Sequence, residues 1–297
     1  MITSVRHLAA VCALGAALTA CGTQPAPRAD RPASPAPTPS SPSVSLSASP
    51  STSSSAAPSR PPTLAPGPAG LTPVFENGPR TAGRIVALTF DADMTADQGA
   101  RAAAGEHFDN PGLIAALREL KVPATVFMTG RWAEEYPEQA RSIGRDPLFE
   151  VGNHSYSHYG FIEDCYGLPT VPTDGMRADV ERAYTAFREV GVANAMPYFR
   201  FPGGCYDQWA LRAVSGAGVT AVQWDVVSGD AFAADADEVT QEVLNGVKPG
   251  SVVVMHCTRS AAPTTERAVR AIVPELRRQG YRFVKVSELI GAARKRS

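Results

Sequence analysis

From Ile85 to the end of the chain, short apolar, β-branched runs alternate with longer segments whose apolar residues recur at helical spacing. Residues 85–90, 124–128, 148–151, 198–201, 219–224, 251–255 and 283–286 read as buried strands, most of them bounded by Gly, Pro or Asp. Between them, residues 110–120 carry Leu113, Ile114, Leu117 and Leu120 on one helical face. Residues 132–144 read as helix, with Pro137 as a break or restart. Residues 176–189, 208–217, 239–247 and 265–279 complete the helical set, and Ser287 caps a short closing helix. Regular strand–helix alternation implies an α/β domain with parallel strands. It does not choose between a closed barrel and an open, doubly wound sheet.

The first seventy residues do not share this pattern. Arg6 and His7 precede an apolar run over residues 8–18, too short to span a bilayer but suited to a signal peptide. The run ends in Leu18-Thr19-Ala20-Cys21, which resembles a bacterial lipobox. That resemblance implies cleavage before Cys21 and a lipid on its sulfur; the other reading is an ordinary signal peptide with an incidental cysteine. Residues 21–70 are dominated by Pro, Ser, Ala and Thr and lack the apolar surface needed to offset ordering entropy. The expected organisation is a signal peptide over 1–20, a disordered tether over 21–70 and a globular domain over 71–297. The protein is then exported and lipid-anchored to a bacterial membrane, facing outward. In that oxidising setting Cys165 and Cys205, both in loop-like sequence, are the expected disulfide, with Cys257 left over. A formal net charge of -1 gives no argument for a nucleic-acid partner. No motif fixes an oligomeric state, so a monomer is expected.

Five clusters carry chemistry. The strand over residues 85–90 runs into Asp91 and Asp93, and parallel sheets place their chemistry at the carboxyl ends of strands. The two acids read as a base beside a metal ligand, or as a helix cap and a solvated acid. His154 and His158, at i and i+4 after the third strand, would reach one cation from one side of a helical turn. Arg200 precedes Pro202-Gly203-Gly204 at the end of the fourth strand, where a guanidinium can hold a carboxylate in a fork and glycines let backbone N–H groups approach a ligand. The stretch from Trp224 to Asp230 follows the fifth strand. Val254-Met255-His256 closes the sixth, placing an imidazole for acid–base work.

Together these pieces resemble the NodB-homology polysaccharide deacetylases, carbohydrate esterase family 4, over roughly residues 84–290. TFDAD resembles that family's TFDD, HSYSH its H-[ST]-x-x-H, RFPGG its R-x-P-x-G, VSGD its D-x-x-D stretch, and VMH its L-x-H. The resemblance implies a distorted (β/α) barrel and a divalent metal, usually zinc, with cobalt as an alternative. It implies Asp93, His154 and His158 as ligands and Asp91 as general base, oriented by Arg200. It further implies His256 as general acid tuned by Asp230, Gly203 as oxyanion donor, and Val254 and Trp224 as substrate walls. The implied reaction is removal of N-acetyl groups from a glycan such as peptidoglycan or a chitin-like polymer. Removal of O-acetyl groups, hydrolysis of a non-sugar C–N bond and a catalytically silent glycan-binding role are the alternatives. Three departures stand out. Ala92 separates the two aspartates, which leaves their roles open to exchange. Val227 and Ala231 replace an acid and a tryptophan in the fourth motif. Val254 replaces a leucine.

Overall fold

The computed structural model describes residues 60–295. The expected signal peptide, Cys21 and most of the expected tether lie outside the described residues. Pro62 and Leu64, within the stretch read as tether, are bonded to the domain: Tyr198 Oη donates to the Pro62 carbonyl at 2.8 Å, and the Leu64 N–H donates to Thr220 Oγ1 at 3.1 Å.

The strands are β1 (Val74–Phe75), β2 (Ile85–Ala92), β3 (Ala124–Met128), β4 (Phe149–Asn153), β5 (Ala195–Phe199), β6 (Thr220–Val222), β7 (Val226–Val227), β8 (Ser251–His256) and β9 (Arg282–Phe283). They form one parallel sheet in the order β1-β6-β5-β4-β3-β2-β8-β7. β9 joins β2 at Ile85 and Val86, ahead of the point where β3 begins to pair. Among the described residues β1 and β7 end the sheet without pairing to each other, so the curl is a (β/α) barrel left open on one side.

The helices are α1 (Gly99–Ala103), α2 (Pro111–Glu119), α3 (Gly130–Glu135), α4 (Pro137–Arg145), α5 (Met176–Val190), α6 (Gln208–Ala213), α7 (Ala236–Gly246), α8 (Thr265–Arg278) and α9 (Val286–Arg294). Pro137 restarts a helix rather than kinking one, because it occupies the first turn of α4, where its missing N–H costs nothing. The closing helix begins at Val286 with Lys285 in the cap position, two residues before the expected Ser287 cap, which lies within the first turn. β1, β7 and α1 were not legible in the sequence; each is five residues or fewer. None of the described helices is long and apolar enough to cross a membrane.

β2 is buried along its whole length, and its two faces do different work. Val86, Leu88, Phe90 and Ala92 pack in the larger apolar cluster with Leu113, Leu117, Val269 and Ile272 of the outer helices. Ala87 faces inward with Phe127, Tyr198 and Val252. At about 1.5–3 kcal/mol for each large side chain taken from water, the outward set fixes the strand's phase. A slip of one residue would exchange the faces. The apolar side of β2 therefore dictates that odd-numbered residues, Asp91 and Asp93 among them, point into the curl.

Candidate active site

The site begins with the two carboxylates. In a strand, alternate residues share a face, so the intervening Ala92 is what places Asp91 and Asp93 side by side. Ala92 itself is fully buried on the helix side. β8 pairs in register with β2, so that His256 lies opposite Asp91. Two residues on, Thr258 lies opposite Asp93: its hydroxyl donates to Asp93 Oδ1 at 2.6 Å and accepts from the Asp93 N–H at 3.2 Å.

Asp91 is clamped from the opposite wall. Arg200 has no exposed surface, and its Nη1 donates to Asp91 Oδ1 at 2.6 Å. Nε donates to the Val222 carbonyl at 3.1 Å and Nη2 to the Gln223 carbonyl at 3.5 Å. The guanidinium lies 4.1 Å over the Phe127 ring. A buried guanidinium needs its charge paired and its N–H groups satisfied, and Arg200 meets both conditions.

The two histidines are not on a helical turn, contrary to the expectation from their spacing. Ser155 and His158 have left-handed backbones, with φ of 67° and 56°, and a left-handed residue ends a right-handed turn. Side chains hold the loop instead. Asn153 Oδ1 accepts from the Ser155 N–H at 2.8 Å, and Ser155 Oγ from the His158 N–H at 2.9 Å. Asp179 of α5 accepts from the Tyr156 N–H at 3.1 Å and Ser157 Oγ at 3.2 Å. The imidazoles end with ring centroids 4.9 Å apart.

His154 Nδ1 lies 2.9 Å from the Arg200 carbonyl, which only accepts, so Nδ1 carries the proton and Nε2 turns its lone pair to the cavity. His154 Nε2 stands 3.7 Å from Asp91 Oδ2, and His158 Nε2 3.7 Å from Asp93 Oδ2. Among the described residues no three such groups meet as a preformed metal cage. The chemistry of the donors, two imidazoles and a carboxylate, suits a divalent cation, and the His154 tautomer is the one a ligand needs.

Burial, opposed by the nearby Asp93 charge, pushes the His158 pKa down to about 4, so the ring is neutral near pH 7. Asp93 lies below the ordinary carboxylate value, because the imidazoles of His158, His256 and His154 and the Thr258 bond outweigh its burial. His256 moves the other way. Burial alone would lower it, but Asp230, by hydrogen bond and charge, with Asp93 and Asp91 behind, pushes it up to about 10. His256 Nδ1 meets Asp230 Oδ1 at 2.8 Å, and the His256 N–H donates to Asp230 Oδ2 at 2.8 Å. Ser228 Oγ and Thr265 Oγ1 donate to the same carboxylate at 2.9 and 2.7 Å.

These groups surround a cavity of about 250 Å³. Asp91, Asp93, His154, His158, Gly203, Trp224, Val254 and His256 line it, while Arg200 and Asp230 stand behind Asp91 and His256. Sequence reasoning missed Tyr166, Leu168 and Phe232, which form the rim, and Thr258. Thr258 was within reach, being two residues beyond His256, just past the end of β8. Phe232 lies beside Ala231, where a large aromatic was expected. The expected Cys165–Cys205 disulfide is formed, and Cys257 is free and buried, its thiol pushed up to about 12 by that burial.

The open parallel (β/α) barrel thus brings paired acids and imidazoles, backed by a buried guanidinium, to one cleft, a set of groups able to bind and release protons. Residues 78–222 match the polysaccharide deacetylase family. The chitooligosaccharide deacetylase of Azorhizobium caulinodans is 27% identical over 182 residues, 58% of this chain and 83% of its own. A peptidoglycan-N-acetylglucosamine deacetylase of Bacillus cereus is 28% identical over 210 residues, 70% of this chain and 88% of its own. The crystal structure of a peptidoglycan N-acetylglucosamine deacetylase matches with a TM-score of 0.62 at 25% identity, covering 73% of this chain and 92% of that one. A carbohydrate esterase family 4 pseudoenzyme from Bacillus anthracis shares the fold, with a TM-score of 0.59 at 24% identity over 77% of this chain and 70% of that one. Residues 78–222 thus mark a polysaccharide deacetylase domain, of the NodB-homology or carbohydrate esterase family 4 group to which these relatives and structural neighbours are similar.

Proposed function

We propose that the protein is a metal-dependent hydrolase that removes N-acetyl groups from an envelope or extracellular glycan, held at the bacterial membrane by a lipid on Cys21. The observation that carries the reading is the convergence of Asp91, Asp93, His154, His158 and His256 on one cleft. The fold alone does not carry it, because a pseudoenzyme shares that fold. The relatives named as chitooligosaccharide and peptidoglycan-N-acetylglucosamine deacetylases support an N-acetylated glycan as substrate.

Asp93, His154 and His158 would hold the cation. When bound, it supplies Lewis-acid polarisation of a carbonyl and lowers the pKa of water. The chain's own groups do the rest. Asp91, fixed by Arg200, accepts the proton of the attacking water. Arg200 fills one of its oxygens and leaves Oδ2 facing the cavity. The Gly203 N–H stabilises the oxyanion that forms from the acetamide carbonyl. His256, held protonated by Asp230, gives a proton to the departing amine, and acetate and a free amino sugar result.

The test is acetate release from N-acetylglucosamine oligomers, with chelator and with zinc or cobalt added back. Release that chelator abolishes and metal restores is the expected result. Metal-dependent release from acetylated xylan alone would reassign the bond cleaved. No release from any acetylated glycan would leave a binding module.

A further inference from the structure

The connection between β4 and α5 carries backbone strain that the histidines do not explain. Asp164 and Tyr166, on either side of Cys165, have left-handed backbones with φ of 58° and 51°. Such conformations cost free energy in residues with side chains, and they persist only where the surroundings over-determine them. Backbone bonds between Gly160 and the Pro169–Val171 stretch close the loop around them, and Cys165 itself is bonded to Cys205, 40 residues further along the chain. Cys165 is buried and its carbonyl accepts from the Leu168 N–H at 2.9 Å, closing the loop beneath the Tyr166 ring.

Cys205 follows the Gly203-Gly204 turn, whose φ values are 62° and 72°. The turn lies directly on the cystine. A Cβ at Gly203 would stand 2.6 Å from Cys165 Sγ and 3.2 Å from Tyr166 Cδ2, so not even a methyl group fits between them. On its other side, a Cβ at Gly204 would stand 2.4 Å from the Trp224 ring. Tyr166 is 77% exposed yet lines the catalytic cavity, an aromatic wall fastened at its base by the disulfide. By contrast, His154 and His158 are held by Arg200, Asn153, Ser155 and Asp179, none of which depends on the cystine.

We propose that the Cys165–Cys205 cystine is a positioning element for the reaction: it locks the Tyr166 wall and the Gly203 turn into one unit, setting the substrate wall and the oxyanion donor together while leaving the metal ligands independent. This rests on the proposed role of Gly203. Opening the bond with dithiothreitol moves two electrons and two protons from the dithiol to the cystine, giving two thiols and the reagent's own cyclic disulfide. The Tyr166 loop is then free to relax its left-handed residues, and the turn loses the surface it rests on.

The experiment compares oxidised protein, protein reduced under native conditions, and the Cys165→Ser/Cys205→Ser variant, all well below their melting temperatures. Reduction is expected to lower kcat on N-acetylglucosamine oligomers by about 10–100-fold, the scale of a displaced oxyanion donor. Zinc affinity should change by less than about threefold, since no ligand support is lost. Amide hydrogen exchange should quicken in residues 159–170 and 203–207 and hold steady in residues 149–158 and at Arg200. Reoxidation should restore the wild type but not the variant. Unchanged exchange at 203–207 after reduction would overturn the inference whether or not acetate is released. Faster exchange with kcat and KM unaltered would also overturn it, leaving a purely structural staple. Failure of the functional reading is separate: it would show as no acetate release by the oxidised, metal-loaded protein.

Discussion

Replacing Asp230 with asparagine separates charge from shape at the acid. The Asp230 carboxylate is almost fully buried and receives four hydrogen bonds, two from His256 and one each from Ser228 and Thr265. Asparagine keeps the volume but removes the charge and turns an amide N–H₂ towards donors. Leaving a buried charge without its partner costs about 3–5 kcal/mol, which for a domain of this size is a fall in melting temperature of roughly 10 °C. The pH dependence has a definite sign. The folded-state pKa of His256 is raised from 6.5 to about 10, so its stabilisation is complete below 6.5 and is lost as pH rises through about 10. Asp230 is lowered from 3.8, so its share is present above that value and is lost as pH falls through its folded pKa. The difference in melting temperature between wild type and variant is therefore largest between about pH 4 and 6.5 and closes towards pH 10. Catalysis follows the same proton. The wild type holds its acid protonated to about pH 10. An imidazole returned to about 6.5 is only about 3% protonated at pH 8, a loss of about 30-fold there before any change in orientation. Acetate release measured from pH 5 to 11 reads this directly as an alkaline limb moved down by two or more units. An unmoved limb in the variant would refute the assignment of His256 and Asp230 as an acid and its tuner.

Asp91→Asn is expected to keep the metal and lower turnover by about 10²–10⁴-fold, whereas Asp93→Asn is expected to lose metal; elemental analysis of both variants decides, and the opposite pattern would show the two roles exchanged. Thr258→Val removes the hydroxyl that orients Asp93 and is expected to weaken zinc binding by about 10–100-fold in a chelator competition, with Thr258→Ser restoring it. Equal affinities in all three proteins would deny Thr258 that part. Cys21→Ser is expected to release the protein from the membrane fraction into the medium; membrane retention unchanged by the substitution would refute the lipid anchor.

Much of the barrel was legible because its signals are local. Apolar runs of strand length and helical repeats such as Leu113, Ile114 and Leu117 depend on near neighbours, and their elements appear within a few residues of the expected bounds. The site residues were legible because each ends a strand or lies within a few residues after one, and a parallel sheet gathers strand ends at one edge of the curl. The loop from His154 to His158 misled, because i and i+4 spacing describes a helix only if every intervening residue is right-handed. Bonds from Asn153, Ser155 and Asp179 select otherwise, and Asp179 lies on a helix the spacing does not show.

By itself the sequence determined the longer strands and helices, that the strands run parallel, and which acids and imidazoles lie near their ends, because periodicity and burial along one segment suffice for that. Only the tertiary structure decided that the sheet curls and stays open, that Ala92 turns outward so both aspartates face inward, and that Thr258 and Tyr166 join the site. Those outcomes depend on register between β2 and β8 and on a cystine closing two distant loops, and such pairings are made across space, where no local pattern records them.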